Sequence, residues 1–130
     1  MQMKGLVLVD SSAWVEAARA GGDKAITVKL EGLIRLGLIA MTEPIWLELY
    51  QGARGKREEE QIKRWRELSV WLDFDESCWR QAALSARTCL RSGVNVPFGD
   101  LLVDACARRY KVRLLERDRH FAMIARALKP

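Results

Sequence analysis

The sequence predicts an α/β sandwich built on a short, mainly parallel sheet. Four short apolar segments have the β-branched and aliphatic composition of strands that are covered on both faces. Segments with helical caps separate these strands, and parallel strands need crossover connections of this kind. The chain has 130 residues, close to the commonest size of one domain, so we expect a single domain over residues 1–130.

The first part of the chain is predicted to form a crossover unit. Its elements are a strand over residues 4–10, a helix over 11–20, a helix over 23–36 and a strand over 38–41. We expect Ser11 and Ser12 to cap the first helix and Asp23 to cap the second, because short polar side chains accept hydrogen bonds from the free N–H groups at a helix start. Gly21-Gly22 and Gly37 follow these helices, as glycine commonly does.

The rest of the chain continues the alternation. The predicted elements are helices over 42–51 and 56–69, a strand over 70–74, a helix over 75–93, a loop over 95–99, a helix over 100–110, a strand over 112–115 and a helix over 118–128. Pro44 suits a first helical turn, Asp75 opens the long helix and Gly93 ends it. Asp100 is expected to begin the helix that follows the loop.

Charge, apolar runs and cysteine content limit the classes of protein to which the chain can belong. The 22 basic residues exceed the 17 acidic ones, and the resulting net charge of +5 favours a polyanionic partner, although many proteins with this balance bind none. The apolar run before Asp10 is too short for a signal peptide, and no run is long enough for a transmembrane helix. Cys78, Cys89 and Cys106 are odd in number and far apart, so we expect reduced buried thiols, a cytoplasmic protein and no zinc site.

Four separated acids are the candidate functional residues. Asp10 ends the first strand, Asp100 begins a helix after a loop, and Asp118 lies just past the fourth strand. These positions matter because ligands of open parallel sheets gather at the carboxyl ends of the strands. Glu48 lies in an apolar helix, where its carboxylate is desolvated unless it is paired or bound to a cation. Taken singly, each acid is equally consistent with a turn, a helix cap or a solvated helix edge.

Together the four acids predict a site for Mg²⁺ or Mn²⁺. These ions take carboxylate and water ligands, and they activate water and neutralise the transition state of phosphodiester cleavage. The sequence has one histidine and lacks the Gly-x-x-x-x-Gly-Lys, Gly-x-Gly-x-x-Gly and Gly-x-Ser-x-Gly motifs. The sequence therefore contains none of the motifs expected of a phosphate-binding loop, a dinucleotide site or a serine hydrolase.

Four motifs containing these acids resemble, in order and spacing, those of PIN-domain nucleases. They are Val9-Asp10-Ser11-Ser12, Glu48-Leu49-x-x-Gly52, Asp100-Leu-Leu-Val-Asp-Ala and Leu115-Glu-Arg-Asp118-Arg-His-Phe121. The small size of the chain resembles that of VapC-type toxins of toxin-antitoxin pairs, and the resemblance covers essentially the whole chain. It implies a three-layer α/β/α fold, a Mg²⁺- or Mn²⁺-dependent endoribonuclease site, an RNA substrate, a homodimer and inhibition by a cognate antitoxin.

Matching the motifs implies that Asp10, Glu48, Asp100 and Asp118 form the catalytic and metal-binding quartet. It also implies that the Ser12 hydroxyl supports Asp10.

Asp104 and Glu116 are further acids near these motifs. Asp104 lies one helical turn after Asp100, so two like charges share a face unless a cation or an arginine separates them. It either supports the metal ligands from outside or pairs with Arg108, again one turn on. Glu116 is expected to assist Asp118 with a second metal or with the attacking water.

The remaining distinctive residues have simpler interpretations. Trp14 and Trp46 are expected to contact a dimer partner or an antitoxin, and His120 to be a structural turn residue.

Two other classes of function stay open at this point. The first is a PIN-like module that binds RNA or protein without cleaving it, and Asp104 and Glu116 are the residues that favour it. The second is a phosphoacceptor domain of receiver type, which needs paired acids after the first strand and a lysine after a late strand. The chain has Asp10-Ser11 and Glu116-Arg117 at those positions.

Overall fold

The computed structural model describes residues 4–130, and this part of the chain contains four strands and seven helices. In order, they are β1 (Val7–Val9), α1 (Ser11–Ala18), α2 (Lys24–Arg35), β2 (Ile39–Met41), α3 (Glu43–Gly52), α4 (Lys56–Leu68), β3 (Val70–Trp71), α5 (Glu76–Arg91), α6 (Phe98–Tyr110), β4 (Arg113–Leu115) and α7 (His120–Leu128). The predicted succession of strands and helices is confirmed. Across residues 4–130, the helices are too short or too polar to span a bilayer.

The strands form one sheet in the order β3-β2-β1-β4, and all three pairings are parallel. Every residue of β1 and β2 is buried, which shows that helices cover both faces of the centre of the sheet. The predicted α/β sandwich is therefore confirmed. Because the pairing is parallel, the carboxyl ends of β1 and β4 lie side by side, and the N–H of Asp10 extends the ladder by donating to the carbonyl of Leu115 at 2.9 Å.

The core is formed by the strands and by the inner faces of the helices. Leu8, Ile39 and Ile45 are fully buried, and Trp14 is only 1% exposed. The indole of Trp14 stacks on that of Trp65 with ring centroids 4.6 Å apart. The interpretation of Trp14 as an exposed partner contact was therefore wrong, because this side chain fills the core between α1 and α4. The three cysteines are free and buried, as predicted.

Three helix starts differ from the predictions. The carboxylate of Asp10, rather than the hydroxyls of Ser11 and Ser12, caps α1 by accepting from the N–H of Ser12 at 3.1 Å. Helix α6 begins at Phe98, since Pro97 occupies the position before its first turn, and Asp100 therefore lies inside that turn. Helix α7 begins two residues later than predicted, at His120.

Strand β3 is shorter than predicted. It ends at Trp71 rather than at residue 74, because the chain bends away when the N–H of Asp75 donates to the carbonyl of Asp73.

Candidate metal centre

Asp10 lies at the centre of the candidate site. It follows β1 directly, and its side chain is almost completely buried, at 2% exposure for the residue. Its Oδ2 accepts a hydrogen bond from the Ser12 hydroxyl at 2.6 Å, and that hydroxyl in turn accepts from the N–H of Arg117 at 2.9 Å. Ser12 therefore orients the carboxylate and ties the start of α1 to the segment after β4. Oδ1 of Asp10 is buried and has no hydrogen-bond partner within residues 4–130.

Asp100 and Asp118 approach the same point from α6 and from the segment after β4. The imidazole of His120 lies against both acids, with its Nδ1 2.6 Å from Oδ1 of Asp118 and 3.1 Å from Oδ2 of Asp100. The N–H of His120 also donates to Oδ1 of Asp118 at 2.9 Å. Asp100 is 6% exposed, and no hydrogen bond in the described chain satisfies its Oδ2. The sequence indicated a structural turn residue at His120, and the structure instead places its side chain among the acids.

Glu48 reaches the site from α3 and packs against the start of α6. One carboxylate oxygen accepts a hydrogen bond from the Ser11 hydroxyl at 3.3 Å. The other lies so close to Gly99 that a Cβ at that position would be 2.6 Å from it. Any side chain at position 99, directly before Asp100, would meet this carboxylate, so glycine is the residue that leaves room for it. Sequence analysis missed this role of Gly99, although the predicted loop did end at this residue.

The pKa values of the four carboxyl groups are shifted in part by one another's charges and contacts. Burial raises the pKa of Asp10 and of Glu48, and the charges of neighbouring site acids raise both further. Burial, followed by the adjacent Asp118, raises the pKa of Asp100 to about 7. The pKa of Asp118 is lowered: burial opposes this, but hydrogen bonding from the N–H of His120 and the contacts with Asp100 and the imidazole outweigh it. Without a cation, this pocket disfavours full ionisation of its acids.

These residues fit a divalent cation. Buried oxygens of Asp10 and Asp100 have no hydrogen bond within residues 4–130, and both atoms could serve as metal ligands, because buried polar groups are almost always satisfied. Asp100, Asp118 and His120 each offer a ligand atom, and these three atoms lie within 4.8 Å of one another. A set dominated by carboxylate oxygens suits Mg²⁺ or Mn²⁺.

The two further acids differ in their relation to the site. The carboxylate of Asp104 accepts a hydrogen bond from Nε of Arg108 at 2.6 Å, so the structure shows the predicted pairing along the helix flank. Glu116 accepts from the N–H of Asp118 at 2.9 Å, and it therefore holds the backbone of a site residue.

Comparison with known proteins identifies similar sequences and folds. The profile of the PIN domain family matches residues 7–127. VapC ribonuclease Mb1587 of Mycobacterium bovis and ribonuclease VapC11 of Mycobacterium tuberculosis are each 35% identical over 125 residues, which is 93% of this chain and 92% of theirs. Among solved structures, FitAcB from Neisseria gonorrhoeae has a TM-score of 0.75 at 17% identity and covers 93% of this chain and 94% of its own. VapBC2 from Rickettsia felis, bound to a promoter DNA fragment, has a TM-score of 0.71 at 16% identity, with 84% of each chain covered.

We expect Asp100→Asn to stabilise the metal-free protein at pH 8. The pKa of this carboxyl is raised on folding, so its ionisation opposes folding, and the penalty grows from about pH 4 to pH 7 and is complete above that. The advantage of the variant should therefore shrink as the pH is lowered toward 5. Mn²⁺ should raise the melting temperature of the unsubstituted protein by several degrees and that of the variant by less.

Melting curves of both proteins, with and without Mn²⁺, measure these effects. A variant that is less stable at pH 8 and responds unchanged to Mn²⁺ would mean that Asp100 only stabilises the first turn of α6.

We expect Gly99→Ala to weaken Mn²⁺ binding without destabilising the fold. The added methyl group would meet the Glu48 carboxylate, the flexible end of its side chain, so the carboxylate moves rather than the backbone. Alanine inside a helix is favoured over glycine by up to about 1 kcal/mol, so the stability should not fall. Calorimetric titration and melting curves test both halves of this statement.

Gly52→Ala is the matched control, because no atom lies within 4 Å of a Cβ placed there. Unchanged Mn²⁺ affinity in Gly99→Ala would show that the position of Glu48 does not matter for the ion.

Proposed function

The chain belongs to the PIN-domain family, and on this premise we propose that it is a Mg²⁺- or Mn²⁺-dependent endoribonuclease that acts as the toxin of a toxin-antitoxin pair. The observation that carries the proposal is that Glu48 of α3 and Asp100 of α6 meet Asp10 and Asp118 at the ends of two parallel strands. Two buried oxygens of this group have no hydrogen bond within residues 4–130. The names of the mycobacterial relatives support ribonuclease activity. Free buried thiols suit a reducing compartment, which supports action in the cytoplasm.

Each acid has a distinct task in this proposal. Asp10, Glu48 and Asp100 would hold one ion, and Asp118 would hold a second ion or orient the attacking water. A bound Mg²⁺ or Mn²⁺ supplies a Lewis acid that activates water and stabilises charge on the phosphate. Ser12 keeps Asp10 in place through its 2.6 Å hydrogen bond, and Glu116 fixes the backbone of Asp118. The water attacks phosphorus in line with the leaving oxygen, and the P–O bond to that oxygen breaks.

The surface around the site suits an RNA backbone. Leaving out the quartet, 13 acids oppose 22 basic residues, a balance of +9. A groove of about 1080 Å³ includes Ser11 and Glu48 of the site in its lining. Four arginines line the same groove: Arg19, Arg54, Arg57 and Arg64. Arg19 and Arg54 are paired with Glu16 and Glu58. Phosphates bound at Arg57 and Arg64 would lead the strand toward the acids.

The floor of the same groove supports an antitoxin as the second occupant. Val15, which is 53% exposed, and the half-buried Ile34 line it and offer an apolar contact surface for a protein segment. A segment seated there would reach Glu48 and exclude RNA, so inhibition follows from competition for one groove.

A second surface supports a homodimer. A cavity of about 370 Å³ is lined by Pro44, Trp46, Leu47, Phe74, Trp79, Leu102 and the single acid Glu43. Leu47 and Trp79 are 65% and 50% exposed, and large exposed apolar groups that cluster in this way mark interfaces. The predicted partner contact at Trp46 belongs to this surface.

We expect RNA cleavage to stop in EDTA and to resume when Mn²⁺ or Mg²⁺ is added in excess. Asp10→Asn, Glu48→Gln and Asp100→Asn should each lower the rate by at least about a hundredfold while circular dichroism stays unchanged, because each removes a proposed metal ligand. Cleavage of labelled RNA by tag-free protein is the measurement.

Asp73→Asn, at an exposed position away from the site, controls for the loss of one negative charge. Cleavage by metal-stripped protein in chelator would contradict the metal requirement. Salt-sensitive RNA binding with no cleavage under any metal would instead support the module that binds without cutting.

We expect Leu47→Glu to produce a monomer, because it places a charge in the proposed dimer surface. Val28→Glu is the control, since Val28 is equally exposed, at 66%, but lies on α2 outside that surface. Sedimentation velocity of the three proteins is the measurement. A Leu47→Glu protein that sediments like the unsubstituted chain would show that the apolar surface is not a dimer interface.

A further inference from the structure

The chain has one histidine, and the structure builds it into the acid cluster. His120 is the first residue of α7, and the next residue, Phe121, is buried in the core and anchors this helix start. Its backbone N–H donates to Oδ1 of Asp118 at 2.9 Å, which holds the start of α7 against this acid. Nδ1 faces Asp118 and Asp100 at 2.6 and 3.1 Å and is inaccessible to solvent.

The contacts of this nitrogen are short but are not aligned as hydrogen bonds. Within residues 4–130, neither Nδ1 of His120 nor Oδ2 of Asp100 has a hydrogen-bond partner. Two neighbouring ligands of an octahedral ion with bonds of about 2.1 Å are separated by about 3 Å. The 3.1 Å spacing between Nδ1 and Oδ2 of Asp100 is close to that value, and the 2.6 Å spacing between Nδ1 and Oδ1 of Asp118 is somewhat shorter. The arrangement therefore matches ligands that share one cation better than it matches an ion pair with aligned hydrogen bonds.

We propose that Nδ1 of His120 is a ligand of the divalent ion at Asp118, the second ion of the proposed centre, to which Asp100 also contributes an oxygen. This inference rests on the proposed function, because it adds a residue to the same metal centre. An imidazole ligand favours first-row transition ions, whereas Mg²⁺ prefers oxygen ligands and keeps its waters. His120 therefore biases the centre toward ions such as Mn²⁺ and away from Mg²⁺.

The direct test is the electron spin echo spectrum of Mn²⁺ bound to tag-free protein. Because His120 is the only histidine, a modulation with the ¹⁴N frequencies of imidazole can arise from this side chain alone. We expect the unsubstituted protein to show this modulation and His120→Gln to lose it while still binding Mn²⁺ through the acids. Arg126→Gln changes an exposed residue of the same helix and should retain the signal.

Calorimetric titration supplies the second readout. His120→Gln should weaken Mn²⁺ binding by about tenfold or more and Mg²⁺ binding by less than about threefold, since only the transition ion gains from nitrogen. Equal weakening for both ions would overturn the proposal, because it would indicate a general change of the pocket.

The two proposals fail in different ways. Mn²⁺ bound to unsubstituted protein without ¹⁴N modulation would overturn the role of His120 and leave the acid centre intact. Protein that binds neither ion would overturn both. The spectrum of the unsubstituted protein decides the outcome even if His120→Gln fails to fold.

Discussion

The parallel pairing of β1 with β4 is the constraint on which the rest of the site depends. The hydrogen bond from the N–H of Asp10 to the carbonyl of Leu115 joins the carboxyl ends of the two strands. Asp10 thereby lies next to the segment that carries Asp118, and Ser12 bonds to both sides of this junction. Helix α3 contributes Glu48 and helix α6 contributes Asp100 at the position that these two strand ends define. A shift of one residue in the register of β4 would separate these acids, because successive side chains of a strand point to opposite faces.

Bringing these carboxylates together has an energetic cost that other parts of the fold offset. Burial and mutual repulsion raise the pKa of Asp10, Glu48 and Asp100, so their charged forms oppose folding. Ser12 donates a hydrogen bond to one oxygen of Asp10, and the other has no hydrogen-bond partner within residues 4–130. The central strands and Trp14 provide the packing that keeps the pocket in place. A divalent ion bound among these carboxylates, as proposed, would convert the same repulsion into binding energy, so a destabilising feature of the fold would serve its function.

Local sequence patterns predicted the elements of this fold, and long-range contacts explain what they missed. Short apolar runs located the strands, and Asp23 and Asp75 marked helix starts because a cap bonds only to the next few residues. The position of the α6 start was wrong because Pro97 and Gly99 are as typical of a loop as of a first turn. The role of Gly99 depends on Glu48, about fifty residues earlier in the sequence, and that of His120 on Asp100 in another helix. No periodicity in the sequence encodes such pairs, whereas the prediction of the four acids came from their motifs.

Anomalous scattering can show whether the converging acids bind a divalent ion. Crystals of the chain grown with Mn²⁺ should be measured at a wavelength where manganese scatters anomalously. We expect a difference peak within about 2.0–2.6 Å of carboxylate oxygens of both Asp10 and Asp100. Fully ordered acids with no peak between them, in crystals where Mn²⁺ is bound only at exposed carboxylates elsewhere, would contradict it.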